Sequence, residues 1–540
     1  MFHRTKTSTL CLGLFLAFIC FVPLTVFALG QPDAGSIIQD TQQTDIKPRT
    51  SSVDLELEGE SPGEIPSGGA QVKLNGILFS GNTVFSAEEL TSVVEDEIGK
   101  LRDMAGLRSI ANRISIFYRN NGYTFARAYI SEQSMTDGAL TIDIVEGCYG
   151  RIEAKGEPAL AAWAQRFLCG FKPGCVIEDR SLERTMLILG DQPGVDVSPL
   201  ICPGEKGGTG DLEVQVTEGP RFSGRVRFDN HGNRYSGEYR GDMTLRMNRA
   251  FMLVDEISIR TLYTSENMWL GQFDYSFPIG YSGLRCSVGY AHTAYDLKAP
   301  YEGYTGTAKV SKAGLSYPFV RSLMTNLALY VTGQYKDLNN ELSGVSYEEK
   351  TSWSGIAGLQ FDHRDSFGGG GITYGELSVP AGDLDSDNAG ATQGGFTKAN
   401  LEITRLQSLS PAFSLFVNAS GQWSDTDLDS SESFTLGGAS GVRAYPQGEA
   451  SGSEGWLARS ELRYAAGDYF APYLFYDTGH IAADASDARR SIAGAGIGLR
   501  CIRGDWSLDT CAAWETWGGD ATSDDHQRSP RVWVSVVRSF

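Results

Sequence analysis

The chain has 540 residues, with 46 Lys and Arg against 66 Asp and Glu, a net charge of −20 and only six His. That balance excludes a nucleic-acid partner, whose phosphates demand a basic surface, and the length asks for more than one domain. Gly (64) and aromatics (26 Phe, 23 Tyr, 9 Trp) are abundant, yet mean hydropathy is only −0.21, as in strands that alternate apolar and polar side chains.

Met1 to Lys6 is basic, Leu10 to Phe27 is apolar, and Val26-Phe27-Ala28 offers a cleavage site. This order predicts a secretory signal peptide over residues 1–28 rather than a retained anchor. Cys20 lacks a lipoprotein context. After Ala28 no run approaches the ~18 apolar residues of a spanning helix. A membrane protein without such helices must close a barrel, because lipid cannot satisfy an open backbone.

Seven of the nine cysteines follow the leader. Cys148, Cys169, Cys175 and Cys202 form a cluster that permits one or two disulfides in an oxidising compartment, with the pairing open. The Cys169–Cys175 spacing does not fit a zinc knuckle.

Residues 29–70 are poor in aromatics and carry eight acidic residues against Lys47 and Arg49. The composition predicts a flexible linker. Within it, residues 32–43 predict a short helix starting at Pro32 or Asp33.

Residues 71–147 predict one small module in the order β-α-α-β-β. Val72 to Phe79 reads as one strand. Ser86 and Glu89 form a capping box for the first helix. Leu107 to Arg119 has an apolar stripe and stops at Asn121-Gly122. Strands follow at Ala126–Ile130 and Ala139–Gly147. Residues 148–219 repeat the order, with helices at Pro158–Leu168 and Arg180–Leu189 and strands at Arg151–Ala154, Val195–Val197 and Leu212–Glu218. The repeat, about 75 residues, is too long for a solenoid module.

Residues 220–540 alternate repeatedly. Gly271 to Phe277 is a strand that Pro278 should end, and Leu315 to Phe319 reads as a second ending of that kind. At ~20 residues per strand with its connection, the segment supplies about 16 strands of the ~9–11 residues that cross a membrane. A soluble β-sandwich or β-helix is the competing architecture. In Arg531 to Phe540, Val532, Val534, Val536 and Phe540 share one face and Ser535, Val537 and Ser539 the other. A chain ending on an aromatic within such a strand resembles a bacterial outer-membrane barrel.

Two small modules before a barrel resemble the outer-membrane superfamily of polypeptide transporters and insertases, whose modules are called POTRA domains. The number of modules and the preceding helix resemble the two-partner secretion transporters in particular (TpsB; haemolysin activator and filamentous haemagglutinin exporter, ShlB/FhaC/HecB type). The resemblance rests on a series of motifs. Pro32-Asp33-Ala34-Gly35 is similar to the start of that family's plug helix. Ser80-Gly81-Asn82-Thr83 and Val145-Glu146-Gly147 resemble landmarks of its first module. Leu182-Glu183-Arg184 and Gln192-Pro193-Gly194-Val195 resemble those of its second. Phe228 to Asn233 with Gly237 to Arg240 is similar to its first barrel hairpin. Gly441-Val442-Arg443-Ala444-Tyr445 resembles the Val-Arg-Gly-Tyr tip of a long loop near 436–455 that folds into the barrel. Ala444 stands where that motif has glycine, and alanine tolerates φ > 0 poorly.

Phe475-Tyr476-Asp477-Thr478-Gly479 is similar to the family's Phe-x-Asp-x-Gly strand. By alternation Phe475, Asp477 and Gly479 share a face, and the carboxylate directs that face to the lumen. The resemblance implies that Arg443 pairs with Asp477 and locks the loop.

It further implies an outer-membrane pore, a monomer with its modules in the periplasm. The pore would pass an unfolded exoprotein of the haemolysin or adhesin class to the surface without ATP. The barrel assembly machinery would recognise the strand ending in Phe540. An insertase of the same superfamily is the alternative. No cofactor or metal is implied. There is no Gly-x-x-x-x-Gly-Lys-Ser/Thr, His-Glu-x-x-His or Gly-x-Ser-x-Gly, so enzymes are poorly supported. Asp362-His363-Arg364-Asp365, the best acidic and basic cluster, reads as a solvated turn.

Overall fold

The structure is a computed structural model that describes residues 32–41, 47–49, 56–57, 68, 70–135, 137–387, 392–482 and 489–540. The expected signal peptide, Gln42 and Gln43 of the expected helix and most of the acidic linker lie outside those residues.

In the first module, Ser86 caps the helix Ala87–Val94 with Glu89 completing the box. Asp103 caps Met104–Asn120. The helices lie on a sheet of Gly76–Ser80, Ala139–Val145 and Arg127–Tyr129. The first expected strand is split. Val72–Lys73 pairs with an unforeseen strand, Leu101–Arg102, whereas Gly76–Ser80 pairs in parallel with Ala139–Val145. The chain changes partner at Leu74 and Asn75, whose N–H groups donate to Lys100 and Gly138. Fully buried Leu74 joins the core at that corner.

The second module has helices Pro158–Ala164 and Asp179–Gly190 on strands Val195–Pro203, Thr209–Glu218 and Cys148–Gly156. A fourth strand, Glu56–Leu57, comes from the linker and pairs in parallel with Val195–Pro203 at the sheet edge. Among the described residues no disulfide joins Cys148, Cys169, Cys175 and Cys202, so neither permitted disulfide is formed.

The second module rests on the barrel turns at the end where the first strand begins. Asp191 accepts two hydrogen bonds of 2.7 Å from Arg321. Arg184 donates to the carbonyls of Pro318 and Phe319. Phe167 packs edge-on against Tyr281, and Val254 of a barrel turn is buried in the module's core.

Sixteen antiparallel strands close the barrel. Phe222–Asp229 pairs with Arg531–Ser539, with Phe228 opposite Val536. Phe540 exchanges backbone hydrogen bonds with Gly224, and its ring lies where a Cβ on Gly224 would stand. Val532 is exposed while Arg531 and Trp533 are buried, so alternation separates lipid from lumen. Several strands exceed a bilayer crossing, up to 21 residues in Val345–Asp365.

Two sequence readings are corrected here. Pro318 lies inside Tyr304–Arg321. A bulge between Pro318 and Val320 absorbs the missing donor and lets pairing continue. Asp362 to Asp365 is the end of a barrel strand rather than a solvated turn, and Asp362 is buried.

Buried Glu146 ties the first module together. It accepts from the N–H groups of Thr83 and Val84, from the Thr83 hydroxyl and from Tyr118 Oη at 2.8 Å. Burial opposes its charge, but these donors outweigh burial and hold the carboxyl below its ordinary value. Its stabilising contribution is therefore present above about pH 4.5, the ordinary value, and lost as pH falls through the lowered folded value. Glu146→Ala should cost about 3 kcal/mol, seen as earlier protease cleavage of residues 72–147 in a urea series. Glu146→Gln should flatten the acid dependence below about pH 4.5.

Candidate functional site

The sixth loop at the barrel end away from the modules runs from 425 to 454, between strands Phe413–Ser424 and Gly455–Tyr464. It starts eleven residues before the expected 436. A small ladder, Phe434–Thr435 with Ser451–Gly452, folds it back into the lumen. At its tip, Val442 N–H donates to Leu436 O at 2.7 Å. A Cβ on Gly441 would collide with that carbonyl, which is the reason for glycine there.

Arg443 is 3% exposed, Asp477 0% and Glu461 1%. Arg443 Nε and Nη2 donate to the two oxygens of Asp477 at 2.7 Å each, a bidentate fork. Its Nη1 donates to Glu461 at 2.7 Å. The Arg443 N–H also donates to Asp477, and its carbonyl accepts from Trp533 Nε1 at 2.7 Å. The guanidinium lies 3.6 Å from the centre of the Phe475 ring, so cation–π attraction adds to the fork.

Phe475, Asp477 and Gly479 are all buried on the lumen face of Phe470–Ile481. A Cβ on Gly479 would sit 2.6 Å from Leu436 Cδ2, so the missing side chain admits the loop. Tyr445 is fully buried and donates to Trp517 O or Gly519 O. Ala444 does not have positive φ. Its methyl lies over Gly494, where a second methyl would collide with it.

The expected helix forms as Ala34–Thr41 inside the barrel, with Pro32 just ahead of it. Asp33 caps it by accepting from Ser36 N–H at 2.9 Å. Ala34, Ile37 and Ile38 are buried against Leu262, Met268, Leu270 and Tyr295 of the wall. Ala34 N–H donates to Asn340, and Arg260 donates to Thr41 O. A side chain on Gly35 would collide with Ser430 and Ser431 of the loop.

Helix and loop are interlocked. Lys350 pairs with Asp33 at 3.3 Å and with Asp429 at 2.8 Å. Ser430 donates to Asp33 and Gln447 to Asp40. Lys336 and Lys398 from the wall both hold Glu432. A cavity of about 660 Å³ remains beside the helix, lined in part by Gln39, Arg260, Lys336, Lys398 and Glu432. That is room for a small molecule rather than a moving polypeptide.

A protein-family model described as "Haemolysin secretion/activation protein ShlB/FhaC/HecB" matches residues 208–501, more than half of the chain. The chain belongs to this family. A second model, the ShlB-type POTRA domain, matches residues 72–147. The heme/hemopexin transporter protein HuxB of Haemophilus influenzae is 27% identical, covering 99% of this chain and all of that protein. The outer membrane transporter CdiB of Dickeya dadantii is 24% identical over 73% of this chain and 72% of its own. Among solved structures, CdiB from Escherichia coli superposes with a TM-score of 0.71 at 22% identity, covering 92% of this chain and 93% of that one. BamA from Haemophilus ducreyi lacking POTRA domains 1–3 gives 0.51 at 13% identity, covering 87% and 100%. The protein is thus an outer-membrane transporter of the two-partner secretion type, its POTRA domains in the periplasm.

Glu461 was missed in the sequence reading. The signal was available, because Arg459, Glu461 and Arg463 alternate in Gly455–Tyr464, and charges at every second position mark a lumen face. Glu461 also pairs with Arg463 and Arg500. Asp524, Asp525 and His526 gather three potential metal ligands near the surface, but Arg234 already pairs with both aspartates.

Removing one partner of a buried pair strands the other charge. Arg443→Ala should destabilise the loop-in state by about 3–5 kcal/mol, measured as a lower unfolding temperature by heat-dependent gel migration. Gly494→Ala should destabilise through its clash with Ala444, and Ala444→Gly in the same chain should recover a large part of that loss. Equal stability of the single and double variants would break this assignment.

Proposed function

We propose that this transporter passes an unfolded exoprotein from the periplasm to the cell surface, recognising it through the POTRA domains and using no ATP. The carrying observation is the barrel lumen, wide enough to hold a helix and a folded loop and filled by both. Those fillers combine apolar contacts with ion pairs to the wall. The ion-paired groups can be rehydrated on leaving.

Recognition by sheet extension is supported by the second POTRA domain. Its edge strand Val195–Pro203 is already paired in parallel with Glu56–Leu57 of the linker, which supports an edge open to strand addition. An extended exoprotein segment can pair there through main-chain hydrogen bonds that need little sequence specificity. It would displace the linker that leads to the plug helix. No nucleotide-binding loop occurs in the sequence, so net movement would come from folding of the exoprotein outside.

In this reading Arg443 and Asp477 hold the resting position of the loop, and Ala34–Thr41 is the plug. Deleting residues 71–219 should abolish surface appearance of the cognate exoprotein while the barrel stays heat-modifiable on gels. Export that persists after this deletion would remove the POTRA domains from recognition. Arg443→Ala should reduce export more than it reduces the amount of barrel in the membrane.

A further inference from the structure

The run Asp362-His363-Arg364-Asp365 has no part in the lock or the plug, yet it meets the linker at the periplasmic mouth. Arg49 is the residue it holds. The Arg49 N–H donates to Asp362 Oδ2 at 3.4 Å, and the Arg49 carbonyl accepts from Arg364 Nη2 at 2.6 Å. Both backbone polar groups of one linker residue are thus taken by barrel side chains. The Arg49 guanidinium in turn reaches Asp191 of the second POTRA domain at 3.3 Å.

These groups close a ring across three parts of the chain. Asp191 also receives Arg321. Arg321 donates to Asn326 Oδ1 at 2.9 Å, and Asn326 donates to Asp362 Oδ1 at 2.9 Å. We infer that Asp362, Arg364 and Asp191 form a clasp on Arg49 that holds the linker at the periplasmic mouth and keeps the plug helix near its seat. The inference rests on the plug reading given above.

Two physical points favour a clasp that opens. Asp362 keeps Asn326 and Arg364 as donors when Arg49 leaves, so no buried carboxylate is orphaned. The Arg49–Asp191 contact is part-exposed, at 36% and 28%, and such pairs are weak. Reach sets the consequence. Arg49 lies eight residues beyond Thr41, a span of at most about 28 Å at full extension. While the clasp is closed, a displaced helix stays within that distance of the mouth, at high effective concentration for reinsertion.

Single-channel recording on the full-length protein in planar bilayers tests this with Arg49→Ala, Arg364→Ala and a deletion of residues 32–41. Arg49 lies outside the barrel wall, so its substitution leaves the barrel intact, and heat-dependent gel migration checks Arg364→Ala. Each substitution should raise the open probability roughly two- to fivefold, chiefly through longer open dwell times. Adding Arg49→Ala to the deletion should change nothing, because no helix remains to tether. Wild-type dwell times in both variants, alongside a raised conductance in the deletion, would overturn the clasp. An unchanged conductance in the deletion would instead overturn the plug, and the clasp with it.

Discussion

Three guanidinium contacts and the backbone N–H of Arg443 go to carboxylate oxygens of Asp477 and Glu461, and none of these residues is more than 3% exposed. Taking such charges out of water costs several kcal/mol per ion. Only near-ideal geometry and full pairing repay that. The bidentate fork, the Phe475 face and the Trp533 donor supply the geometry. Arg463 and Arg500 complete the shell of Glu461. An arrangement this demanding gives the loop a well-defined resting position. The placement of the helix then follows from where the loop lies.

The dependence runs through the base of the loop. Asp429, Ser431 and Glu432 are held by Lys350, Lys336 and Lys398 from the wall. The same stretch touches Asp33, Gly35 and Gln39 of the helix. Lys350 serves both at once. Loop and helix therefore share Lys350 and hydrogen-bond to one another, so moving one removes hydrogen-bond partners from the other. Apolar packing of Ile37 and Ile38 adds burial but little direction. The polar contacts set the register of the helix against the wall.

Much of the fold was legible because its signals are local. The Ser86 and Glu89 capping box, the Asn121-Gly122 stop and the two-residue alternation of the barrel each act within a few residues. The misreadings have physical causes of the opposite kind. Leu74 and Asn75 end one ladder because Lys100 and Gly138, far along the chain, compete for them. Pro318 continues a strand because a bulge accommodates it. Asp362 looked like a turn residue because nothing near it in sequence shows that Asn326 and Arg49 meet it.

Of the site, the motifs around Arg443 and Asp477 could be read from residue order, and alternation alone assigned Phe475, Asp477 and Gly479 to one face. The sequence by itself determined the module order, the barrel and which side chains face the lumen, because periodicity is a property of neighbouring residues. Only the tertiary structure decided which lumen charge meets which. Ala34 finds Asn340 across 306 positions, and Arg443 finds Glu461 as well as Asp477. Such pairings depend on strand register, on closure between Phe228 and Val536 and on how deep a loop folds, and none of these is fixed by local sequence.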